Sequence, residues 1–124
     1  MTIVEAGCLC GEIRLVARGA PDRVGLCHCL DCRKHHGAVF YAAAIFSEDA
    51  VTLTGVTRAF QGRHFCPRCG GSVFARTGKE IELHLGALDN PDQFKPDYAL
   101  WTTRAESWLS SIDNVAKHKG DRQN

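Results

Sequence analysis

Seven cysteines in three tight groups constrain this chain more than any other feature of its sequence. The groups are Cys8-x-Cys10, Cys27-x-Cys29-x-x-Cys32 and Cys66-x-x-Cys69. Because the number is odd, the cysteines cannot all pair with one another as disulfides. In a reducing compartment, clustered cysteines are more often metal ligands or catalytic thiols than disulfides. The spacing therefore predicts metal binding, with zinc as the expected ion.

The first and last groups each suit a metal by a different local geometry. The segment FCPRCGG around Cys66 and Cys69 is typical of a zinc knuckle, in which a tight turn directs two sulfurs at one ion. Cys8 and Cys10 are two residues apart, so on an extended strand their side chains face the same way and can reach one ion. The alternative for Cys8 and Cys10 is that they are small buried hydrophobic residues.

Two assignments of the zinc ligands compete. In the first, a ribbon-like site takes the two C-x-x-C pairs, which are Cys29, Cys32, Cys66 and Cys69, and leaves the other three cysteines without a clear task. In the second, the first and last groups close a structural site of four thiolates, and the middle group forms an open site with three ligands. Three sulfurs within six residues favour the second assignment, but the spacing alone leaves both open.

The remainder of the sequence predicts one mainly β domain. The chain has 124 residues, 44% of them hydrophobic, which is enough for a single core. Short alternating or β-branched segments, separated by turns rich in glycine and proline, predict small antiparallel sheets with short helical turns. We assign residues 1–112 to this domain and expect residues 113–124, which are polar and lack aromatic side chains, to form a loose tail.

Three local elements follow from turn and cap signals. The segment LDCRKHHG predicts a short helix that ends at Gly37. ARTGKEIEL predicts a β-hairpin in which Gly78 adopts the positive φ of a tight turn. LDNPDQF predicts a turn followed by a short helical piece.

Charge and hydropathy exclude several classes of partner. The formal net charge is +1, far from the basic balance that directs a domain to nucleic acid. No segment approaches the roughly 18 apolar residues of a membrane span. The N-terminal segment lacks the basic and apolar regions of a secretion signal, so we expect a cytoplasmic protein with no nucleic-acid or membrane partner.

The motifs together resemble those of the glutathione-dependent formaldehyde-activating enzyme family, also called the centromere-protein-V-like family. The matching segments are GCLCGEIRL, CHCLDCRKHHGAVF, FCPRCGGSVF, LGALDNPDQFKPD and LWTTRAESW, in family order from about Gly7 to about Trp108. The resemblance implies an Mss4-like zinc-binding fold. It also implies the second assignment, with one structural zinc held by the first and last cysteine groups and a second, labile zinc held by Cys27, Cys29 and Cys32.

In the enzyme that gives the family its name, the second site is linked to glutathione binding and to the formation of S-(hydroxymethyl)glutathione from formaldehyde. The chemistry is consistent, because a zinc ion with three thiolates is soft and electron-rich and accepts a fourth sulfur more readily than a hard oxygen. The hypothesis is therefore a carbon–sulfur lyase or synthase. In it, a thiol, with glutathione as the expected co-substrate, binds at the open site and adds to a small aldehyde.

Glutathione carries two carboxylates, which need cations. Arg33 and Lys34 directly follow the third cysteine of the middle group and are candidate substrate-binding residues. Among the histidines, we expect His28 to face away from the metal. His35 or His36 is a candidate general base or metal ligand, although stabilising the helix end is the favoured role for both. His64 and His84 are expected at the surface or behind the ligands.

Two non-enzymatic alternatives stay open at this point. The chain could be a zinc-binding module for a protein partner, as the centromere-associated relatives suggest. It could also be a redox or metal-handling cysteine cluster. Neither the identity of the thiol and aldehyde nor the oligomeric state follows from the sequence.

Overall fold

The computed structural model describes residues 2–122, and these residues form a mainly β protein, as predicted. The strands are β1 (Ile3–Gly7), β2 (Arg14–Arg18), β3 (Arg23–Cys27), β4 (Tyr41–Ser47), β5 (Val51–Thr54), β6 (Arg58–Phe60), β7 (Arg63–Phe65), β8 (Ser72–Thr77), β9 (Glu80–His84), β10 (Tyr98–Leu100) and β11 (Ala116–Lys117). One α-helix, α1, spans Leu30–His36, and single 3-10 turns span Glu48–Ala50, Leu85–Ala87 and Thr102–Arg104.

The strands form two sheets. β1, β2 and β5 form a three-stranded antiparallel sheet, and the other strands form an eight-stranded sheet in the order β11-β10-β3-β4-β9-β8-β7-β6. Most neighbours in the larger sheet are antiparallel, but β10 runs parallel to both β3 and β11. None of the helices within residues 2–122 has both the length and the apolar character that crossing a membrane requires.

One hydrophobic core joins the two sheets. Val4 and Ala6 alternate with exposed positions along β1 and are fully buried. From the larger sheet, Phe46, Phe74 and Leu83 pack into the same cluster. Because side chains alternate along a strand, the residues on either side of Leu83 lie on the opposite face of the larger sheet, where the cavity described below is found.

The predicted helix and hairpin are both present. Cys29 is the N-cap of α1, and its sulfur accepts a hydrogen bond from the Cys32 amide at 3.3 Å. Gly37 ends the helix in the left-handed conformation at φ 60°. The hairpin of β8 and β9 turns at Gly78, which has φ 59°. Local signals were therefore sufficient to place these two elements.

Two other expectations were wrong. The short helical piece predicted in LDNPDQF is absent, and a helical turn instead precedes this segment at Leu85–Ala87. The predicted loose tail is docked, since Ala116–Lys117 adds a parallel strand beside β10 and the Trp101 amide donates to the Gly120 carbonyl at 3.0 Å. The last two residues of the tail, 123 and 124, lie outside the described residues.

Candidate metal centres and the adjoining cavity

The first and last cysteine groups converge in space. Cys8 and Cys10 follow β1, whereas Cys66 and Cys69 lie on the turn between β7 and β8. The four sulfurs all lie within 4.8 Å of one another. The Cys10 sulfur is 3.7 Å from those of Cys8 and Cys66. Four sulfurs at this separation suit tetrahedral zinc, in which each Zn–S bond is about 2.3 Å.

Backbone amides donate to the sulfurs of this cluster, but their effect is uneven: despite an amide donor from Glu12, burial and the neighbouring cysteines raise the pKa of Cys10 to about 11. The Ile13 amide donates to the Cys8 sulfur at 3.2 Å, and the Gly71 amide donates to the Cys69 sulfur at 3.4 Å. Amide donors from Cys10 and Gly71 lower the pKa of Cys69 to about 6. Such thiolates are the ligands that zinc requires, so the donor set fits the ion that the resemblance implies.

The middle group forms a second cluster on its own. Cys27 ends β3, Cys29 caps α1 and Cys32 lies in the first turn of that helix. Their sulfurs also lie within 4.8 Å of one another, and no fourth Cys, His, Asp or Glu within residues 2–122 joins them. Three convergent sulfurs fit a zinc ion with one coordination position left for an external ligand.

The two clusters differ in their electrostatics. Contact with the Cys27 thiol, followed by burial, raises the pKa of Cys32, and burial raises the pKa of Cys29. Two backbone amides donate to sulfurs of the three-cysteine cluster, Cys32 to Cys29 at 3.3 Å and Cys29 to Cys27 at 3.5 Å. Cys29 and Cys32 therefore resist ionisation, and a metal ion bound at the site would favour their thiolate form.

A cavity of about 230 Å³ opens onto the three-cysteine cluster. Besides the cysteines, its wall includes the polar residues His36, Tyr41, Arg63, Glu82 and His84. We call this space the cysteine cavity. Its size admits a small thiol together with an aldehyde, and its polar wall offers hydrogen-bond donors and acceptors beside the sulfurs.

Tyr41 and Glu82 form one hydrogen-bonded wall of the cysteine cavity. The Tyr41 hydroxyl donates to one oxygen of Glu82, and the Thr77 hydroxyl donates to the other at 3.1 Å. The His36 ring stacks on Tyr41 with 4.7 Å between ring centroids. Burial, followed by the charge of Glu82, raises the pKa of Tyr41, so its hydroxyl stays protonated and serves as a donor.

His84 was expected at the surface or behind the ligands, and the surface alternative is wrong, because its side chain is 4% exposed. Its strand alternates apolar and polar positions, but the C-terminal end of α1 covers the polar face: the His36 ring lies 4.6 Å from the His84 ring. His84 Nδ1 lies 3.1 Å from the Ser72 hydroxyl, and Nε2 has no hydrogen-bond partner within the described part of the chain. Burial lowers the pKa of His84 to about 3.

His28 faces away from the three-cysteine cluster, as expected. It lines a separate, mostly apolar cavity of about 250 Å³ and does not border the cysteine cavity. Its ring packs against Phe40 with 5.8 Å between centroids. His28 therefore contributes to packing under the Cys27–Cys29 loop.

The candidate cations occupy three different environments. Arg33 donates to the Arg104 carbonyl at 2.8 Å and forms an ion pair with Glu106, so it fastens α1 to the chain that follows β10. Lys34 is exposed and borders an outer cavity on the other side of α1. Arg63 lines the cysteine cavity and has no ion pair among the described residues. Nothing in the sequence favoured Arg63 over the other arginines as a substrate-binding residue.

The comparisons with known proteins agree with the arrangement of the cysteines. The family model described as glutathione-dependent formaldehyde-activating enzyme matches residues 3–104. This range contains all seven cysteines and every polar residue named above as lining the cysteine cavity. A comparison with curated proteins gave no match.

Proposed function

The chain belongs to the glutathione-dependent formaldehyde-activating enzyme family, and from this premise we propose that it is a zinc-dependent carbon–sulfur lyase or synthase. It joins a thiol, glutathione or a similar molecule, to a small aldehyde such as formaldehyde, and the product is a hemithioacetal. One observation carries this proposal. Three sulfurs converge without a fourth protein ligand among residues 2–122, and they do so at the wall of a cavity rather than in the core.

The two clusters have different roles in this proposal. The four-cysteine cluster holds a structural zinc, because the protein itself supplies all four ligands. Cys27, Cys29 and Cys32 hold the second, labile zinc. When bound there, zinc supplies a soft electron acceptor that favours a fourth sulfur and lowers the pKa of a thiol.

The residues around the three cysteines orient the reactants. Arg63 lies beside the cluster, and its guanidinium suits a carboxylate of the thiol substrate because the planar fork can donate to both oxygens. Arg63 takes this role in place of Arg33, whose guanidinium is held by Glu106. In the Tyr41–Glu82 wall, the Tyr41 hydroxyl donates its proton to Glu82, so its oxygen remains free to accept a hydrogen bond from a donor in the cavity.

Substitution Cys29→Ser tests the proposed function. We expect the variant to retain one zinc per chain instead of two, and to lose glutathione-dependent formaldehyde consumption by about 10²-fold or more. Metal analysis and an assay of adduct formation by NMR measure the two effects on the same sample. A thermal unfolding curve close to that of the unaltered protein is the control for the fold.

Two results would contradict the proposal. One is loss of a zinc ion while activity stays intact. The other is a resting protein in which Cys27, Cys29 and Cys32 form disulfides and hold no zinc, which would favour a redox role.

A further inference from the structure

His84 is buried beside the cysteine cavity with one ring nitrogen that has no partner. The residue is 4% exposed, lines the cysteine cavity as well as a larger cavity of about 650 Å³, and leaves Nε2 without a hydrogen-bond partner among residues 2–122. A buried nitrogen without a partner is uncommon in folded proteins unless a ligand or an ordered water supplies one. The ring is therefore poised to contact a molecule in this cavity.

The partner of the other ring nitrogen is the Ser72 hydroxyl, which lies 3.1 Å from Nδ1. A neutral imidazole carries one proton, and in the tautomer with that proton on Nδ1 the ring donates to the Ser72 hydroxyl. Burial keeps the ring neutral, which leaves Nε2 as an acceptor. The group that His84 awaits in the cavity is thus a hydrogen-bond donor, such as a thiol or a hydroxyl.

Ser72 extends this contact towards the other side of α1. Its hydroxyl lies 3.1 Å from His84 Nδ1 and 3.1 Å from His35 Nε2, so it stands between the two rings. A hydroxyl has one proton and two lone pairs, so it can accept from His84 while donating to His35. His35 in turn lines the outer cavity, of about 280 Å³, which also has Lys34 and Asp31 in its wall.

We propose that His84, Ser72 and His35 form a proton relay between the cysteine cavity and solvent that serves thiol addition, an inference that rests on the proposed function. His84 contacts the substrate and is the catalytic residue, whereas Ser72 and His35 act through it. A buried imidazole that accepts a proton at Nε2 while it releases one from Nδ1 never carries a net charge. The relay thus avoids the desolvation cost of a buried imidazolium.

The proton transfers balance in both directions. The S–H bond of the thiol breaks and its proton goes to His84 Nε2. At the same time the Nδ1 proton moves to Ser72, the Ser72 proton moves to His35 Nε2, and His35 releases its other ring proton to water. The sulfur electron pair forms the C–S bond while the carbonyl π pair moves to oxygen. The reverse movement along the relay then protonates this oxygen, so one proton leaves to water and one returns.

Other groups and a further cavity also face the relay. His84 and Ser72 both line a cavity of about 650 Å³ in addition to the contacts above. The His36 ring packs edge-on against both histidines, with centroids 4.6 Å from His84 and 5.0 Å from His35, and is not hydrogen-bonded to either. Arg63 lies on both cavities and its charge, together with burial, disfavours a positive charge on His35. A neutral relay suits this setting.

The first test removes the central hydroxyl. Ser72→Ala should slow the interconversion of glutathione, formaldehyde and adduct by about 10²-fold, as measured by exchange NMR at equilibrium. Ser72→Thr keeps the hydroxyl and should keep most of the rate. Thr57→Val is the matched control, because it removes a different hydroxyl–histidine contact, 2.9 Å from His64, outside the cavity. In H2O–D2O mixtures, the unaltered protein should show the curved dependence of rate on deuterium content expected when several protons move together.

The second test uses the outer end of the relay. His35→Ala should also slow the reaction, and the rate should recover as the imidazole concentration is raised, because imidazole can enter the outer cavity and accept the Ser72 proton. The unaltered protein should not respond to imidazole. If the contact between His35 and Ser72 only stabilised the fold, imidazole would not restore the rate. The imidazole experiment therefore tests the relay even if Ser72→Ala loses zinc.

Either of two results overturns the relay. One is that Ser72→Ala reacts at the rate of the unaltered protein, and the other is that imidazole does not restore the reaction rate of His35→Ala. Failure of the proposed function looks different, because the unaltered protein would then not accelerate adduct formation at all. Zinc content is measured on every variant, so that a lost metal is distinguished from a lost proton path.

Discussion

At the scale of single residues, the arginines of this chain differ in the ion pairs that they already form. Arg33 is paired with Glu106, and Arg68 is largely exposed on the knuckle and lies 3.4 Å from Glu12. Arg63 is half-buried, lines the cysteine cavity and has no ion pair among the described residues. A partly desolvated guanidinium without a carboxylate partner gains more from an incoming carboxylate than an exposed one does.

Substitution Arg63→Gln is therefore expected to weaken glutathione binding selectively. We expect KM for glutathione to rise by about 10-fold or more, since a charged hydrogen bond contributes about 1.5–3 kcal/mol. The KM for 2-mercaptoethanol, which lacks a carboxylate, should change little. Arg68→Gln is the matched control. If KM rose equally for both thiols, or if Arg68→Gln raised KM for glutathione as much as Arg63→Gln does, Arg63 would not be the residue that binds the carboxylate.

The sequence identified the cysteines better than the polar residues around them. A cysteine cluster is a local signal, because Cys27, Cys29 and Cys32 lie within six residues. His84 and Arg63 owe their environment to contacts with α1 and β7 that no local pattern records. The alternation along β9 left a surface position open for His84, and the covering helix α1 excludes it.

At the scale of the elements, β3 positions the three-cysteine cluster. It ends at Cys27 and pairs with β4 on one side and with β10 on the other. Gly25 is in register with Tyr98 of β10, whose ring lies directly over the glycine. A Cβ atom at Gly25 would overlap this ring, so the close approach of the two strands requires glycine at this position.

We expect Gly25→Ala to destabilise the protein by about 1–3 kcal/mol, because the Tyr98 ring must move away from β3. Urea unfolding, followed by circular dichroism, measures the change. Gly86→Ala is the matched control: a Cβ there meets nothing within 4 Å, and the change should stay within about 0.5 kcal/mol. Equal stability of the two variants would show that the Tyr98 ring adapts freely.

The elements that the sequence predicted are those with signals of their own. Cys29 and Gly37 mark the ends of α1, and Gly78 marks the hairpin. β11 has only two residues, and its pairing depends on β10 already being placed beside β3. Because that pairing comes from tertiary contacts, polarity alone suggested a loose tail.

At the scale of the whole molecule, the four-cysteine cluster connects the two sheets. Cys8 and Cys10 follow the first strand of the small sheet, and Cys66 and Cys69 lie between two strands of the large sheet. The three-cysteine cluster, in contrast, involves only β3 and the adjoining helix. The sequence spacing left these two groupings open, since the convergence of distant cysteines depends on how the sheets pack.

The two clusters should therefore differ in their effect on stability. Cys10→Ser is expected to lower the thermal unfolding temperature by about 10 °C or more, because it removes a ligand of the structural zinc. Cys29→Ser should lower the same temperature by only about 2–4 °C. Differential scanning calorimetry with zinc analysis on both variants measures this difference. If Cys29→Ser were the more destabilising change, the structural and labile roles would have to be exchanged.

The separation of the clustered cysteines along the chain has a consequence for biosynthesis. Cys10 and Cys66 are 56 residues apart, so closing that loop costs about 3.5 kcal/mol in chain entropy, whereas the middle group is complete within six residues. As the chain leaves the ribosome, Cys27, Cys29 and Cys32 are all present well before Cys66 and Cys69. Zinc captured early would thus meet only the cysteines of the first two groups, before Cys66 and Cys69 can complete the four-cysteine cluster.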